Sequence, residues 1–192
     1  RAWALAGDAS APWIVDSSLH ERVFDQNPRL WRDGVLFRGA ATETGVIEIE
    51  AGGEQLRLQR TERGWELTEP LATRADDSAV MDWLARLGRL RSGGAILDVP
   101  DDLVRYGLQP ANARIAVFSR RNDTVERVLL GDPIGVGSPV RYGLLEASPA
   151  IIRIDEDAQR LLIPSATTFV DATGSGVFRA DIGAIDVQRV DG

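Results

Sequence analysis

The pair Gly52-Gly53 separates two short runs, Val46-Ile47-Glu48-Ile49-Glu50 and Leu56-Arg57-Leu58-Gln59. Apolar and polar residues alternate in both runs, which indicates strands with one buried and one solvated face. The Gly-Gly turn between them predicts an antiparallel hairpin. A third strand at Trp65-Glu66-Leu67, after a turn around Arg63-Gly64, would extend the hairpin into a meander.

A helix is predicted next, at roughly Asp77 to Leu90, because Val80, Leu84 and Leu87 follow helical spacing. Asp76 or Asp77 can accept hydrogen bonds from the free N–H groups of the first turn. Ser92-Gly93-Gly94 is a suitable end for this helix.

A second meander is predicted after a linker through Pro100 and Tyr106-Gly107-Leu108. Its strand candidates, separated by turn-forming residues, are Ala113 to Phe118, Val125 to Leu130, Val140 to Leu145 and Ala150 to Ile154. A short helix follows, with Asp155 as its N-cap candidate, and continues through Leu162 to a stop at Pro164.

The fold class expected from these elements is α+β, with short antiparallel meanders that are each packed by a helix. We expect two lobes that join near residues 92–110. Trp65 and Trp83 are predicted to lie in the core. The less regular N-terminal part carries three more tryptophans that are candidates for a partner or glycan surface: Trp3, Trp13 and Trp31.

The two ends of the chain resemble each other at an offset of about 138 to 141 residues, in the same element order. The matched segments are Ile14-Val15-Asp16 with Arg153-Ile154-Asp155, Val35-Leu36-Phe37-Arg38 with Gly176-Val177-Phe178-Arg179, and Gly45-Val46-Ile47-Glu48-Ile49 with Gly183-Ala184-Ile185-Asp186-Val187. Chance agreement between generic segments is the alternative explanation. In the repeat interpretation, residues 1–38 resemble the end of a preceding unit and residues 164–192 begin a following unit. Residues 39–94 and 95–163 then form the two lobes.

Composition excludes several classes of function. The chain of 192 residues has a formal charge of −7 and no Lys, and this acidic balance disfavours nucleic acid. The nearest approach to a basic patch, Arg86, Arg89 and Arg91, is expected on the solvated end of the helix. Without Cys the chain has no disulfide or thiolate nucleophile, and no run approaches the ~20 apolar residues of a membrane span.

The residues that could take part in catalysis or in metal or phosphate binding are better explained by structural roles. His20 is the only histidine, so a histidine zinc site is excluded and a hydrolytic triad is not indicated. Two carboxylate clusters could serve general acid–base chemistry or bind Ca²⁺, but both lie where turns and helix starts favour Asp. These clusters are Asp98, Asp101 and Asp102, and Asp155, Glu156 and Asp157. Gly131 to Gly137 lacks the residues of a phosphate-binding loop and is interpreted as a long hairpin connection. No catalytic, cofactor-binding or metal-binding residue is therefore assigned.

The order and spacing of several short motifs resemble the bacterial DUF4340 family over about residues 30 to 163. The motifs are Gly64-Trp65-Glu66-Leu67, Pro70-Leu71, Ala75-Asp76, the helical positions Val80, Leu84, Leu87 and Leu90, then Tyr106-Gly107-Leu108-Gln109-Pro110 and Leu130-Gly131. The resemblance implies extracytoplasmic repeats behind an N-terminal membrane anchor, often encoded beside ABC-type transporters, including those similar to gliding-motility systems. It implies no catalytic residues, and this sequence shows no anchor.

The resulting expectation is a non-enzymatic interaction module or scaffold that acts with a membrane transport or motility assembly. We expect a protein partner, no nucleic acid, no cofactor, and membrane attachment only through an anchor outside this chain. The expected location is the periplasmic or extracellular face of a bacterial membrane. A carboxylate-dependent glycan hydrolase and a purely structural spacer are the alternatives.

Overall fold

The computed structural model of the protein describes residues 2–4, 13–15, 34–39, 43–120 and 124–171. The strands are β1 (Ala2–Ala4), β2 (Trp13–Val15), β3 (Thr44–Ala51), β4 (Glu54–Thr61), β5 (Gly64–Glu69), β6 (Thr73–Arg74), β7 (Ala95–Leu97), β8 (Ala113–Ser119), β9 (Val125–Pro133), β10 (Arg141–Leu145) and β11 (Ile151–Ile154). The helices are α1 (Asp77–Leu87) and α2 (Glu156–Leu162), with 3-10 turns at Val104–Tyr106 and Ala166–Thr168.

Strands β3 to β11 form one nine-stranded antiparallel sheet in the order β6-β5-β4-β3-β8-β9-β10-β11-β7. The expectation of two lobes was therefore wrong, because the two meanders are joined into one sheet through β3 and β8. Ile49 pairs with Leu56 of β4 on one side and with Ile115 of β8 on the other. A hairpin pairs only one edge of β3, and here the N–H and C=O groups of its other edge pair with β8. The fold is dominated by this sheet.

Both helices cover one face of the sheet, and the main core lies between this face and the helices. The alternating residues of the hairpin point into this core, as predicted: Ile47 and Leu58 are fully buried. Trp65 and Trp83 are buried as well, which confirms their predicted positions. Leu36 and Phe37 also lie in this core, where Leu36 donates its N–H to the carbonyl of Leu90.

A smaller core lies on the opposite face, at the β9–β10–β11–β7 end of the sheet. Leu144 and Ile151 from the sheet pack there with Leu108, and the Tyr106 and Tyr142 rings meet edge to face with centroids 5.0 Å apart. The segment that carries Val104–Tyr106, predicted only as a linker, therefore covers part of this face. Among the described residues, this small core does not extend over the rest of the face.

Helix α1 begins as predicted and ends earlier. Asp76 is the N-cap, and its carboxylate accepts hydrogen bonds from Ser78 and Ala79 N–H. The helix ends at Leu87, three residues before the predicted end, because Gly88 starts a turn that leads the chain to its pairing with residues 34–36.

The small N-terminal sheet repeats the pairing of β10 with β11. In β1 and β2, Ala2 pairs with Val15 and Ala4 with Trp13. In β10 and β11, Arg141 pairs with Ile154 and Gly143 with Ile152, which is the same register shifted by 139 residues. The internal repeat stays a prediction, since the matched C-terminal segments 176–179 and 183–187 lie outside the described residues. The boundaries at 38, 94 and 163 also stay predictions.

Candidate interaction surface

The sheet presents a second surface on the side opposite the helices, formed by β4, β3, β8 and β9 and the start of the turn after β10. We call this surface the open face. Its residues alternate with those of the core along each strand. They form three rows that run across the strands: Gln59, Val46, Phe118 and Val125; Arg57, Glu48, Ala116, Arg127 and Glu146; and Gln55, Glu50, Arg114 and Leu129.

The middle row alternates in charge on both sides of a small residue. Glu48 pairs with Arg57 of β4 on one side and with Ala116 of β8 on the other. Ala116 pairs with Arg127 of β9, whose carbonyl accepts a hydrogen bond from Glu146 N–H. Along the row the charges are therefore plus, minus, none, plus and minus.

Ion pairs link the charged residues of the open face within the chain. Arg57 Nη1 lies 2.6 Å from Glu48 Oε1, and Arg127 Nη1 lies 2.6 Å from Glu146 Oε2. Arg114 and Glu50 are 3.8 Å apart, and their side chains are 53% and 50% exposed. Exposed pairs of this kind contribute only about 0–1 kcal/mol each to stability. These charged groups are thus available to a partner at little cost to the fold.

The row at the other end of the open face is apolar in its centre. Val46 pairs with Phe118, which pairs with Val125, and all three side chains are half-buried. The Arg127 guanidinium carbon lies 5.8 Å from the centroid of the Phe118 ring, within the range of a cation–π contact. The open face thus combines an apolar strip with a charged one.

A shallow cleft of about 260 Å³ lies over Ala116, lined by Glu48, Glu50, Arg114, Ala116, Arg127 and Glu146. Ala116 is buried at the bottom because the long side chains around it rise above its methyl group. The open face carries three Glu and three Arg, so its charges balance although the whole chain has a formal charge of −7. An arrangement of this kind suits contact with another polar surface, through paired charges around a small apolar centre.

In each of the two carboxylate clusters considered from the sequence, some residues have structural contacts. Asp102 Oδ1 accepts the N–H of Val104 at 2.8 Å, and so caps the 3-10 turn. Asp155 stands at the N-cap of α2 without a side-chain cap hydrogen bond, whereas Glu156 and Asp157 pair with Arg160 one turn later. Within the described residues, no group of three or more His, Asp or Glu side chains could hold a metal ion.

Some of the other residues considered in the sequence lie within the described part of the chain, and others lie outside it. Strand β9 runs through Gly131 to Pro133, and the loop of residues 134–140 leads to β10, so the hairpin connection is present but begins later than predicted. Arg86, Arg89 and Arg91 are exposed. His20 and Trp31 lie outside the described residues, and for Trp3 and Trp13 only the backbone of β1 and β2 is described.

The open face was not predicted from the sequence as one continuous surface. The signal was present in each strand, since Glu48, Arg57, Arg114 and Arg127 all occupy solvent-facing positions of alternating runs. What alternation does not give is the register of β8 against its two neighbours, β3 and β9, which together place Ala116 between Glu48 and Arg127.

The fold and this surface define a sheet domain with one face packed and the other partly open. Residues 65–192 match the family model DUF4340, described as a domain of unknown function. The chain belongs to this family. The match begins later than the predicted span of about residues 30 to 163 and extends beyond it at the C-terminal side. No curated protein and no solved structure matches the chain. Within the described residues, no helix has the length and apolar character needed to cross a membrane.

Proposed function

We propose that this chain is a non-enzymatic interaction module whose open face holds a protein partner. The observation that carries the proposal is the charge-balanced, partly solvent-exposed row of Arg57, Glu48, Arg127 and Glu146 on a single continuous sheet. A sheet fixed by packing on its other face presents such a row without first ordering flexible segments, which lowers the entropy cost of binding.

The setting of this module is proposed from the family resemblance. The module would belong to a tandem array at the periplasmic or extracellular face of a bacterial membrane, held by an anchor outside this chain, and would act as a scaffold for a transport or motility assembly. The equal register of β1–β2 and β10–β11, shifted by 139 residues, supports the array. The ABC-type transporter association rests on the resemblance alone.

The alternatives receive less support from the contacts. A glycan hydrolase would need two carboxylates that face one substrate. Asp102 instead caps a turn, and Asp157 pairs with Arg160. A purely structural spacer would need no particular open face, and so it makes the opposite prediction in the experiment below.

A photo-crosslinking experiment in the bacterial cell tests the proposal. A benzophenone amino acid replaces Gln59 or Arg114, which are exposed on the open face, in the full-length protein. The matched control replaces Asp82, which is exposed on α1. We expect defined crosslinked species from the open-face positions and none from the control. Equal crosslinking from all three positions, or none from Gln59 and Arg114, would support the spacer instead.

A further inference from the structure

The middle row of the open face is antisymmetric in charge about Ala116. Starting from Ala116, the row reads Glu48 then Arg57 in one direction and Arg127 then Glu146 in the other. Each negative residue on one side therefore has a positive counterpart at the same number of strands on the other side.

This order makes the row complementary to itself. When two such faces meet about a two-fold axis that runs parallel to β8 over Ala116, β3 of each copy lies opposite β9 of the other. Glu48 then faces Arg127 of the second copy, and Arg57 faces its Glu146. An isologous contact contains each of these pairs twice, which gives four ion pairs between the copies.

The apolar row fits the same axis. Phe118 lies on β8 and faces its own equivalent, while Val46 faces Val125 of the second copy. The cleft of about 260 Å³ over Ala116 leaves room for the long charged side chains of the facing sheet. The third row does not match itself: Arg114 on β8 would face another Arg114, and Glu50 would face Leu129 of the second copy.

We infer that the open face binds a second copy of this chain, face to face, with the two-fold axis over Ala116. The inference rests on the proposed function and names the partner. The contact is small: four strand spacings of ~4.8 Å and two row spacings of ~6.8 Å cover roughly 19 by 14 Å, or about 270 Å². That area is well below the ~800 Å² per partner of a stable interface, so the association is weak and reversible.

Charge reversal with complementation tests this inference in the 192-residue chain. Sedimentation velocity over a concentration series should show the wild-type chain moving from monomer towards dimer. Glu48→Arg places like charges opposite Arg127, and Arg127→Glu places like charges opposite Glu48. Because like charges that face each other across an interface oppose association, each variant alone should dimerise at least ~10-fold more weakly.

The mixture of the two variants gives the decisive result. In a mixed dimer, the two substituted positions face each other with opposite charges, and the unchanged Arg127 faces the unchanged Glu48. An equimolar mixture should therefore recover the dimer. The matched controls, Asp82→Arg and Arg86→Glu on the exposed side of α1, change the net charge equally and should leave wild-type dimerisation intact. Circular dichroism checks the fold of each variant. If Glu48→Arg fails to fold, Glu48→Gln takes its place and should weaken the dimer by a smaller factor.

A wild-type chain that stays monomeric at every concentration would overturn the inference, and so would a mixture that does not recover the dimer. If the chain is monomeric but Gln59 and Arg114 still crosslink to another protein in cells, the second copy is excluded while the proposed function stands. If neither dimer nor crosslink forms, both proposals fail.

Discussion

Trp83 joins the two helices, and its replacement by Phe, compared with the same change at Trp65, measures the energy of one hydrogen bond. Its Nε1–H donates to the carbonyl of Leu161 at 2.8 Å, and its ring meets Phe169 edge to face at 5.6 Å. Leu161 lies in the last turn of α2, where carbonyls lack a partner within the helix. Trp83→Phe keeps an aromatic ring but leaves this carbonyl unpaired, so we expect a loss of about 1–3 kcal/mol in the free energy of unfolding.

Trp65 provides a matched control, because it is similarly buried but its Nε1 has no hydrogen-bond partner among the described residues. Trp65→Phe removes a similar volume and an unpaired donor, so it should cost less than Trp83→Phe. Trp83→Ala also removes the ring and should cost about 3–5 kcal/mol. Urea unfolding monitored by circular dichroism measures all three. If Trp65→Phe costs as much as Trp83→Phe, the hydrogen bond from Trp83 to Leu161 does not stabilise the fold as expected.

Substitutions at two further positions test local features of the fold by thermal and urea unfolding. Gly131→Ala would place a Cβ 2.1 Å from the carbonyl oxygen of Tyr106. We therefore expect a loss of about 1–3 kcal/mol, and a variant as stable as wild type would contradict the close approach of these segments. Asp76→Ala removes the acceptor of the Ser78 and Ala79 N–H groups and should cost about 0.5–2 kcal/mol, whereas Asp76→Asn should keep most of the stability. Equal losses from both changes at position 76 would argue against its capping role.

Local patterns in the sequence predicted most of the elements. The alternating hairpin is β3 and β4, the helical spacing gave α1 from Asp77, and the four later strand candidates became β8, β9, β10 and β11 with ends shifted by up to three residues. These predictions succeed because periodicity reports which side of a single element is buried.

The arrangement of the elements could not be predicted in the same way. The pairing of Glu48 with Ala116 joins residues 68 positions apart, and alternation identifies the face of a strand but not its neighbour. The segment around Tyr106 looked like a linker because its apolar residues are too few and irregular for a strand or helix. It covers one end of the side opposite the helices only because β10 and β11 bring Leu144 and Ile151 beneath it.

The single sheet, on which the open face depends, can be tested with one engineered disulfide in this cysteine-free chain. Direct partners on neighbouring strands have Cα atoms about 4.5–5.5 Å apart, within the range of a disulfide. Glu48→Cys with Ala116→Cys should therefore form an intramolecular disulfide under mild oxidation, detected by mass spectrometry of the monomer. Arg57→Cys with Ala116→Cys, two strand spacings apart, should not. Failure of the first pair, or equal bridging of both, would contradict the pairing of β3 with β8.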